Sequence, residues 1–250
     1  MAYTYKSDGI ILKRWNYKDQ DKMVRLLTRD YGKLTTRAIS ARKITSKLAG
    51  HLEPFIYADF FIARSRTIDI VAGSNTLAPH TQLRQSLPHS ALASFFSEIV
   101  DRFTQEEEQD TALFEHVHGF YTWLNQNNAH LLALYAAVIQ LLSILGFRLE
   151  LYTCHACNNP ITSEGTKFNF KLWSVECANC QSTDDTMSVH ENTIKALRFI
   201  HERSLEESTK LQIPIAQWQE FTQLIHALLR YHLDTPLKSE AVLFTLLQPL

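Results

Sequence analysis

The chain has 250 residues, of which 45% are apolar and 20% are charged, and its formal net charge is −1 at pH 7. A globular protein of this length can bury a substantial core and is near the size at which two domains become usual. The longest apolar segment, residues 131–147, is interrupted by Gln140 and Ser143 and is shorter than the roughly 20 apolar residues needed to cross a bilayer. Residues 1–30 lack the apolar stretch of a signal peptide, so we expect a cytoplasmic protein without a membrane span.

The small net charge hides a strong asymmetry between two parts of the chain. Residues 1–80 contain 14 Lys and Arg against 7 Asp and Glu, whereas residues 81–250 contain 11 against 19. The first part therefore carries +7 and the second −8, which sum to the −1 of the whole chain. A basic part of this kind indicates binding to a polyanion, although a run of charge is often just a solvated surface.

Short β-rich runs alternate with polar breaks over the first 80 residues. The candidate strands are residues 9–15, 23–28, 34–40, 54–63 and 67–72. Five short strands in succession predict a small barrel, and the OB-fold is a five-stranded barrel that binds single-stranded nucleic acid. An SH3-like barrel would show a similar pattern of runs.

After Pro79 and Pro88 the apolar period changes from two residues to 3.6, which indicates helices. Apolar stripes run through residues 92–103 and 113–124, residues 130–145 are apolar nearly all round and end before Gly146, and further helices are predicted after Ser188 and from Pro214. These patterns predict an α+β chain, with a small five-stranded barrel in residues 1–80 and a helical domain in residues 81–250.

The four cysteines form two identically spaced pairs, Cys154 with Cys157 and Cys177 with Cys180. A Cys-x-x-Cys turn directs two thiolates toward one ion, and a second such turn completes the closed tetrahedral shell that Zn²⁺ accepts. A closed shell leaves no position for water. The spacing therefore predicts a structural Zn²⁺ site with these four ligands and no catalytic metal.

Three other interpretations of the cysteines compete with zinc. Two disulfides would require an exported protein, and a thioredoxin-like pair would require a Cys-x-x-Cys at the start of a helix, whereas the pairs here flank a polar, turn-rich stretch. An iron–sulfur cluster also uses four thiolates, and the spacing alone does not distinguish it. His155, inside the first pair, is interpreted as a solvent-facing residue, because four thiolates already satisfy the ion.

Cations and aromatic residues interleave between residues 13 and 47. The candidate DNA-binding residues are Lys13, Arg14, Trp15, Tyr17, Lys22, Arg25, Lys33, Arg37, Arg42, Lys43 and Lys47. Cations neutralise phosphates and release counterions, while aromatic faces stack exposed bases at about 1–3 kcal/mol each without reading the sequence. Any one of these cations could equally be a solubilising surface residue. The cluster as a whole is what indicates a nucleic-acid surface, densest in the predicted loop at residues 40–47.

Ordered motifs extend over nearly the whole chain. They are Gly9-Ile10-Ile11-Leu12 with Tyr17, Asp19, Asp21, Thr28, Gly32 and Lys33; Ala41-Arg42-Lys43 with Ser46-Lys47 and Leu52-Glu53-Pro54-Phe55; Leu141-Leu142 through Gly146-Phe147 into the first cysteine pair; and Tyr231-His232-Leu233 with Leu237-Lys238-Ser239. In this order they resemble the RecO family of DNA recombination and repair mediators. Two departures stand out: Ser40 precedes the basic pair where a glycine is expected, and Lys171-Leu172-Trp173-Ser174 replaces a small-residue turn before the second cysteine pair.

The resemblance implies an N-terminal OB-fold at residues 1–80 and an all-helical domain at residues 81–250 with a zinc-ribbon-like insertion at about residues 151–185, and it implies a function. Such proteins bind single- and double-stranded DNA, anneal complementary strands, engage RecR and single-stranded-DNA-binding protein, and help to load a RecA-type recombinase. It also implies association with the nucleoid in the cytoplasm. These properties are expectations for this chain.

Two other function classes compete with the mediator. An enzyme is not favoured, because the sequence has no Walker loop, no zincin helix and no deaminase pattern. A protein-interaction adaptor would use the basic barrel to bind acidic partner tails. Such a tail needs a few cations beside an apolar pocket, whereas DNA needs an extended cationic track and gives a steep salt dependence.

Overall fold

A computed structural model of the chain describes residues 3–161, 165–180, 185–233 and 235–246. The chain forms two compact units. One extends from the N-terminal strands to Ala129 and takes in the helix that begins at Lys238, and the other is His130–Leu237. Each described helix is too short or too polar to cross a membrane.

The first unit begins with a closed barrel of five strands. They are β1 (Thr4–Tyr17), β2 (Asp21–Thr28), β3 (Gly32–Ala38), β4 (Tyr57–Ala63) and β5 (Ile70–Ala78), in the order β1-β2-β3-β5-β4. The neighbouring strands are antiparallel except β3 and β5, which are parallel. The predicted OB-fold barrel is confirmed, and the SH3-like alternative is not needed.

All five strands differ from the sequence prediction in extent, and β1 and β5 differ most. β1 has 14 residues because its first half pairs with β4 and its second half with β2. β5 begins at Ile70 and not at Thr67. The reason is a turn after β4, in which the Asp69 carboxylate accepts a hydrogen bond from the backbone N–H of Ser65 at 2.9 Å.

The barrel interior is filled by alternating apolar side chains from all five strands. Fully or nearly fully buried members are Ile11, Val24, Leu26, Leu34, Ala58, Phe60, Ile62 and Val71. Leu52 and Ile56 enter the same core from the long connection between β3 and β4, which contains a short 3₁₀ turn at Ala49–His51. This connection therefore anchors on the core at its far end and leaves its first part, the loop after β3, at the surface.

Three helices follow the barrel: α1 (Gln82–Gln85), α2 (Leu87–Phe103) and α3 (Thr111–Gln126). Asp110 caps α3 by accepting a hydrogen bond from the backbone N–H of Leu113 at 2.9 Å. Phe96 of α2 packs against Phe120 of α3 with ring centroids 4.4 Å apart. The apolar stripes at residues 92–103 and 113–124 thus form the predicted helices.

The second unit contains helices and a small sheet. Its elements are α4 (Leu131–Ile144), β6 (Glu150–Cys154), β7 (Lys167–Asn169), β8 (Ser174–Glu176), β9 (Thr186–Ser188), α5 (Glu191–Glu202), α6 (Leu205–Ser208) and α7 (Ile215–His232). The sheet order is β6-β8-β7-β9. α4 is buried nearly all round and is followed by Gly146 at φ +93°, as the sequence predicted.

A final helix, α8 (Lys238–Leu246), belongs to the first unit. The Glu98 carboxylate of α2 accepts hydrogen bonds from the backbone N–H groups of Lys238 at 2.9 Å and Ser239 at 2.8 Å. A carboxylate at the positive end of a helix satisfies N–H groups that lack helical partners. The sequence prediction did not separate α8 from the helix that precedes it.

The compact units and the predicted domains divide the chain at different places. The sequence predicts a boundary near residue 80, where β5 ends at Ala78 and α1 begins at Gln82. The division between the compact units falls later in the chain, between Ala129 and His130. The division into residues 1–80 and 81–250 stays a prediction. Residues 162–164 and 181–184 of the predicted insertion lie outside the described residues.

Candidate nucleic-acid interface and metal centre

Three of the predicted DNA-binding cations surround one buried carboxylate, that of Asp101 on α2. Asp101 Oδ2 accepts a hydrogen bond from Lys13 at 2.5 Å and Oδ1 accepts one from Arg25 at 2.7 Å. Lys33 Nζ lies 3.6 Å from Oδ1 and donates to the backbone carbonyls of Asp101, at 2.6 Å, and of Thr104. The ammonium of Lys33 therefore satisfies carbonyl groups at the C-terminal end of α2, where helical partners are missing.

The three cations differ in the exposed fraction of their side chains. The side chain of Lys33 is 5% exposed, that of Arg25 is 19% exposed and that of Lys13 is 49% exposed. Burial lowers the pKa of Lys33, and the nearby Asp101 carboxylate opposes this shift. We correct the sequence prediction for Lys33, because its ammonium joins the barrel to α2 and leaves no surface for a phosphate. Lys13 keeps an exposed surface, and its role stays a prediction.

A second group of predicted residues, which we call the basic face, consists of one aromatic residue and five cations: Tyr17, Lys22, Arg37, Arg42, Lys43 and Lys47. It comprises the last residue of β1, one residue each of β2 and β3, and the loop after β3. Arg42, Lys43 and Lys47 are exposed. Arg42 Nη1 donates at 2.9 Å to a backbone carbonyl in the turn between β1 and β2, and its backbone N–H donates to Gln20 O at 3.0 Å. These bonds hold the loop after β3 against the turn between β1 and β2.

Tyr17 lies at the centre of the cations on this surface. The guanidinium carbon of Arg37 is 5.6 Å from the centroid of the Tyr17 ring, and Lys18 Nζ is 5.4 Å from it. Cations at such distances are attracted to the ring face. An aromatic ring beside exposed cations has the composition of a single-strand binding surface.

Ser40, the second residue of the loop after β3, has the left-handed conformation, at φ +54°. This is the position where the RecO family resemblance leads us to expect glycine, so the serine keeps a glycine-like backbone. The Asp21 carboxylate supports it: Oδ1 accepts from the backbone N–H of Ser40 at 2.8 Å, and Oδ2 accepts from Arg37 Nε at 2.7 Å. These two hydrogen bonds, from Ser40 first and Arg37 second, lower the pKa of Asp21.

Arg14 and Trp15 are the two predicted residues outside these groups, and Lys22 of the basic face is described with them. Arg14 is half-buried and pairs with Glu53, and Trp15 is 38% exposed with Lys13 Nζ 5.7 Å from its ring. Burial, followed by the neighbouring charge of Arg14, lowers the pKa of Lys22. Their contacts with DNA stay predictions.

The sequence analysis gave no role to the two carboxylates that organise these cations, Asp21 and Asp101. Asp21, the first residue of β2, is one of the motif residues of the resemblance and an acid within a basic stretch, but neither signal predicts its bond to Arg37. Asp101 is 68 residues away from Lys33 in sequence, so its role depends on the tertiary structure.

The four cysteines of the second unit converge on one point. Each Sγ lies within 4.8 Å of the other three, and the distances are 3.8 Å for Cys154 to Cys180, 3.8 Å for Cys157 to Cys177 and 3.4 Å for Cys177 to Cys180. A tetrahedral ion with Zn–S bonds of about 2.3 Å places its sulfurs about 3.8 Å apart. The four side chains therefore fit a tetrahedral metal ion, and the sulfurs are too far apart for disulfides.

Hydrogen bonds shift the pKa values of two of the four thiols in opposite directions. Burial alone would raise the pKa of the Cys154 thiol, but backbone N–H groups, led by that of Cys177, outweigh it and lower this pKa to about 6. Hydrogen bonds to Cys177, then Cys157 and Cys154, raise the pKa of Cys180 to about 12. Four thiolates this close together repel one another, and a metal ion removes that repulsion. His155 is exposed and is not part of the cluster.

Two backbone features shape the metal-binding turns. Gly165 has φ +67°, and a Cβ at this position would lie 2.6 Å from the Cβ of Ala178 in the second Cys-x-x-Cys turn. Trp173 has φ +53°, where the resemblance predicts a small residue, and its ring lies 4.6 Å from that of His232 and 4.8 Å from that of Phe147. The tryptophan thus occupies a turn conformation suited to glycine and packs its ring against α7.

Both parts of the chain match known protein families. The family model described as Recombination protein O N terminal matches residues 1–80, and that described as Recombination protein O C terminal matches residues 84–241. The chain is similar to the DNA repair protein RecO of Dehalococcoides mccartyi, with 32% identity over 93% of this chain and 92% of the relative. It is also similar to that of a Roseiflexus species, with 32% identity over 96% of this chain and 84% of the relative, and to that of Bacillus pumilus, with 28% over 88% and 86%. The chain therefore belongs to the RecO family of DNA repair proteins.

Proposed function

We propose that this member of the RecO family is a recombination mediator. It would bind single- and double-stranded DNA, anneal complementary strands, and help to load a RecA-type recombinase onto DNA coated by single-stranded-DNA-binding protein. The observation that supports this most is the basic face, which combines exposed cations with an aromatic ring on an OB-fold barrel. Its place of action would be the bacterial nucleoid.

The chemistry of the basic face suits a single strand without sequence preference. Arg42, Lys43 and Lys47 are exposed and would contact phosphates, which releases condensed counterions and makes binding fall with added salt. The Tyr17 ring would stack on one base, at about 1–3 kcal/mol. Stacking does not depend on which base is present, as an annealing protein requires.

Annealing follows from charge neutralisation. Two complementary strands repel each other through their phosphates, and cations that hold both strands lower this repulsion. Bases held apart from their neighbours on an aromatic surface remain available for pairing. The mechanism requires no covalent step, and the proposed role of the protein is to bring strands together.

We also propose that the four-cysteine ion is Zn²⁺ with a structural role. Cys154, Cys157, Cys177 and Cys180 would hold it, and the ion would join the turn after β6 to the turn after β8. Zinc accepts four thiolates in a closed shell, and such sites contribute directly to folding. The bound ion would stabilise the fold of the second unit.

Partner proteins form a second part of the proposal, in which the chain engages RecR and the single-stranded-DNA-binding protein. A cavity of about 610 Å³ in the first unit lies between β1, α2 and α8 and is lined by Leu12, Pro54 and Val242 together with Lys13 and Lys238. Apolar residues beside cations suit an acidic tail that ends in apolar residues. The lining also contains two carboxylates, Glu98 and Asp101, which are bonded to Ser239 and to Lys13 respectively. The alternative function, an adaptor that binds acidic partner tails without DNA, rests on this cavity.

The experiment that tests the proposal follows annealing of complementary fluorescent oligonucleotides, bare and coated with single-stranded-DNA-binding protein, beside binding to one strand over a salt series. The mediator predicts faster annealing of coated strands and a steep loss of affinity with salt. Salt-sensitive binding without annealing would reduce the function to DNA binding. Absence of DNA binding, with retention of an acidic peptide, would favour the adaptor.

A further inference from the structure

Asp21 is an acid placed within a surface that would bind a polyanion. It is the first residue of β2, and its side chain is 8% exposed. It pairs with Tyr17 of β1 and accepts a hydrogen bond from Ser40, in the loop that carries Arg42 and Lys43. A carboxylate at such a site repels phosphates. We therefore expect the carboxylate to have a structural role that outweighs this repulsion, and its contacts indicate that role.

The first contact fixes the orientation of Arg37. Asp21 Oδ2 accepts from Arg37 Nε at 2.7 Å and also from Nη2. A guanidinium held through two of its nitrogens has few remaining rotamers, and its plane is set by the carboxylate. In this orientation Arg37 lies 5.6 Å from the centroid of the Tyr17 ring, and Nη1 is not used in the contact with Asp21.

The second contact fixes the loop after β3. Asp21 Oδ1 accepts from the backbone N–H of Ser40 at 2.8 Å, where the backbone is left-handed at φ +54°. The Ser40 carbonyl in turn accepts from the backbone N–H of Lys43 at 3.1 Å. A residue other than glycine adopts this conformation at a cost, so the hydrogen bond from Ser40 to Asp21 helps to hold the turn that presents the loop cations.

We propose that Asp21 is a positioning residue of the nucleic-acid surface, which acts through Arg37 and the Ser40 turn and does not itself contact DNA. The inference rests on the proposed function. It predicts an unusual sign: removal of this negative charge weakens binding to DNA. Ordinary charge repulsion predicts the opposite, because loss of an acid near a polyanion favours association.

The test compares Asp21→Asn with Asp19→Asn in the full chain, by titration of a fluorescent oligothymidylate over a salt series. Asp19 is exposed in the adjacent turn, so the two variants remove the same charge from neighbouring positions. We expect Asp21→Asn to weaken binding about fivefold to tenfold, the size expected when binding must immobilise one rotamer-rich side chain. Asp19→Asn should bind as tightly as the unmodified chain or slightly tighter.

A double-mutant cycle distinguishes positioning from general damage. In an Arg37→Ala background, the cost of Asp21→Asn should shrink to about twofold, because contacts that act through one partner are not additive. Arg37→Lys keeps the positive charge but lacks the planar guanidinium that binds Asp21 through two nitrogens. This variant should weaken DNA binding, and it tests the inference even if Asp21→Asn folds poorly. Urea unfolding of each variant separates loss of fold from loss of affinity.

Three results would overturn the inference. The first is that Asp21→Asn binds DNA more tightly than the unmodified chain, as Asp19→Asn does. The second is that Asp21→Asn lowers the affinity for DNA by the same factor in the Arg37→Ala background as in the unmodified chain. The third is full affinity in Arg37→Lys. If the unmodified chain does not bind the oligonucleotide at all, the proposed DNA binding fails, and the inference fails with it.

Discussion

Substitution of Lys33 by Met separates the structural cations of the barrel from those of the basic face. Met retains the apolar stem of the buried side chain but removes the ammonium that donates to the carbonyls of Asp101 and Thr104. Each buried acceptor left without a partner costs about 1–3 kcal/mol, so we expect a loss of about 3 kcal/mol in the free energy of unfolding. At about 2–4 °C per kcal/mol for a chain of this size, Tm should fall by about 6–12 °C.

Two measurements on Lys33→Met check this reasoning: urea unfolding, and affinity for a single-stranded oligonucleotide at a temperature where the variant is folded. We expect reduced stability with unchanged affinity. Lys43→Met is the matched control, because Lys43 is exposed in the loop after β3. The control should change stability by less than about 0.5 kcal/mol and should weaken DNA binding. Unchanged stability with weaker binding in Lys33→Met would refute the structural role.

Three further predictions concern the acid cluster, the loop and the metal. Burial alone would raise the pKa of Asp101, but Lys13, Arg25 and Lys33 lower it. The contribution of the Asp101 carboxylate to stability is therefore present above about pH 4 and is lost as pH falls through the lowered pKa. Asp101→Asn should make the unfolding free energy depend less on pH at acid pH, and an unchanged slope there would contradict this. Ser40→Gly should stabilise the chain by up to about 1 kcal/mol in urea unfolding, because glycine adopts the left-handed conformation without strain; a loss of stability would count against this. Removing two ligands by Cys177→Ser with Cys180→Ser, or crowding the second turn by Gly165→Ala, should lower both the zinc content and Tm, and retention of both would contradict a structural metal.

Local patterns were sufficient to predict the barrel, the main helices and the cysteine cluster. The change of apolar period after Pro79 marked the passage from the barrel to the helices, and the cysteine spacing predicted a single cluster whose four sulfurs the structure brings together. Period-2 and period-3.6 patterns depend on neighbouring residues, so they can be found from the sequence alone. The extra length of β1 could not be predicted from them, since it depends on pairing with two different strands.

The assignment of roles among the cations required the tertiary structure. Lys33 and Lys43 are equally basic in sequence, yet one donates to the end of α2 and the other is exposed in a loop. The difference comes from Asp101, which is distant in sequence. In the same way, Ser40 departs from the expected glycine while keeping its backbone, because Asp21 supplies a hydrogen bond that a composition-based prediction does not include.

We propose that DNA annealing depends on the exposed loop of the basic face. The most direct test measures the annealing rate of complementary oligonucleotides with the variant Arg42→Glu, Lys43→Glu, Lys47→Glu. Its matched control reverses three exposed lysines of the second unit, Lys171→Glu, Lys195→Glu, Lys210→Glu, so that both variants change the net charge equally. We predict that the loop variant loses annealing while the control anneals nearly as fast as the unmodified chain. Equal loss in both variants, or full annealing by a folded loop variant, would contradict the account.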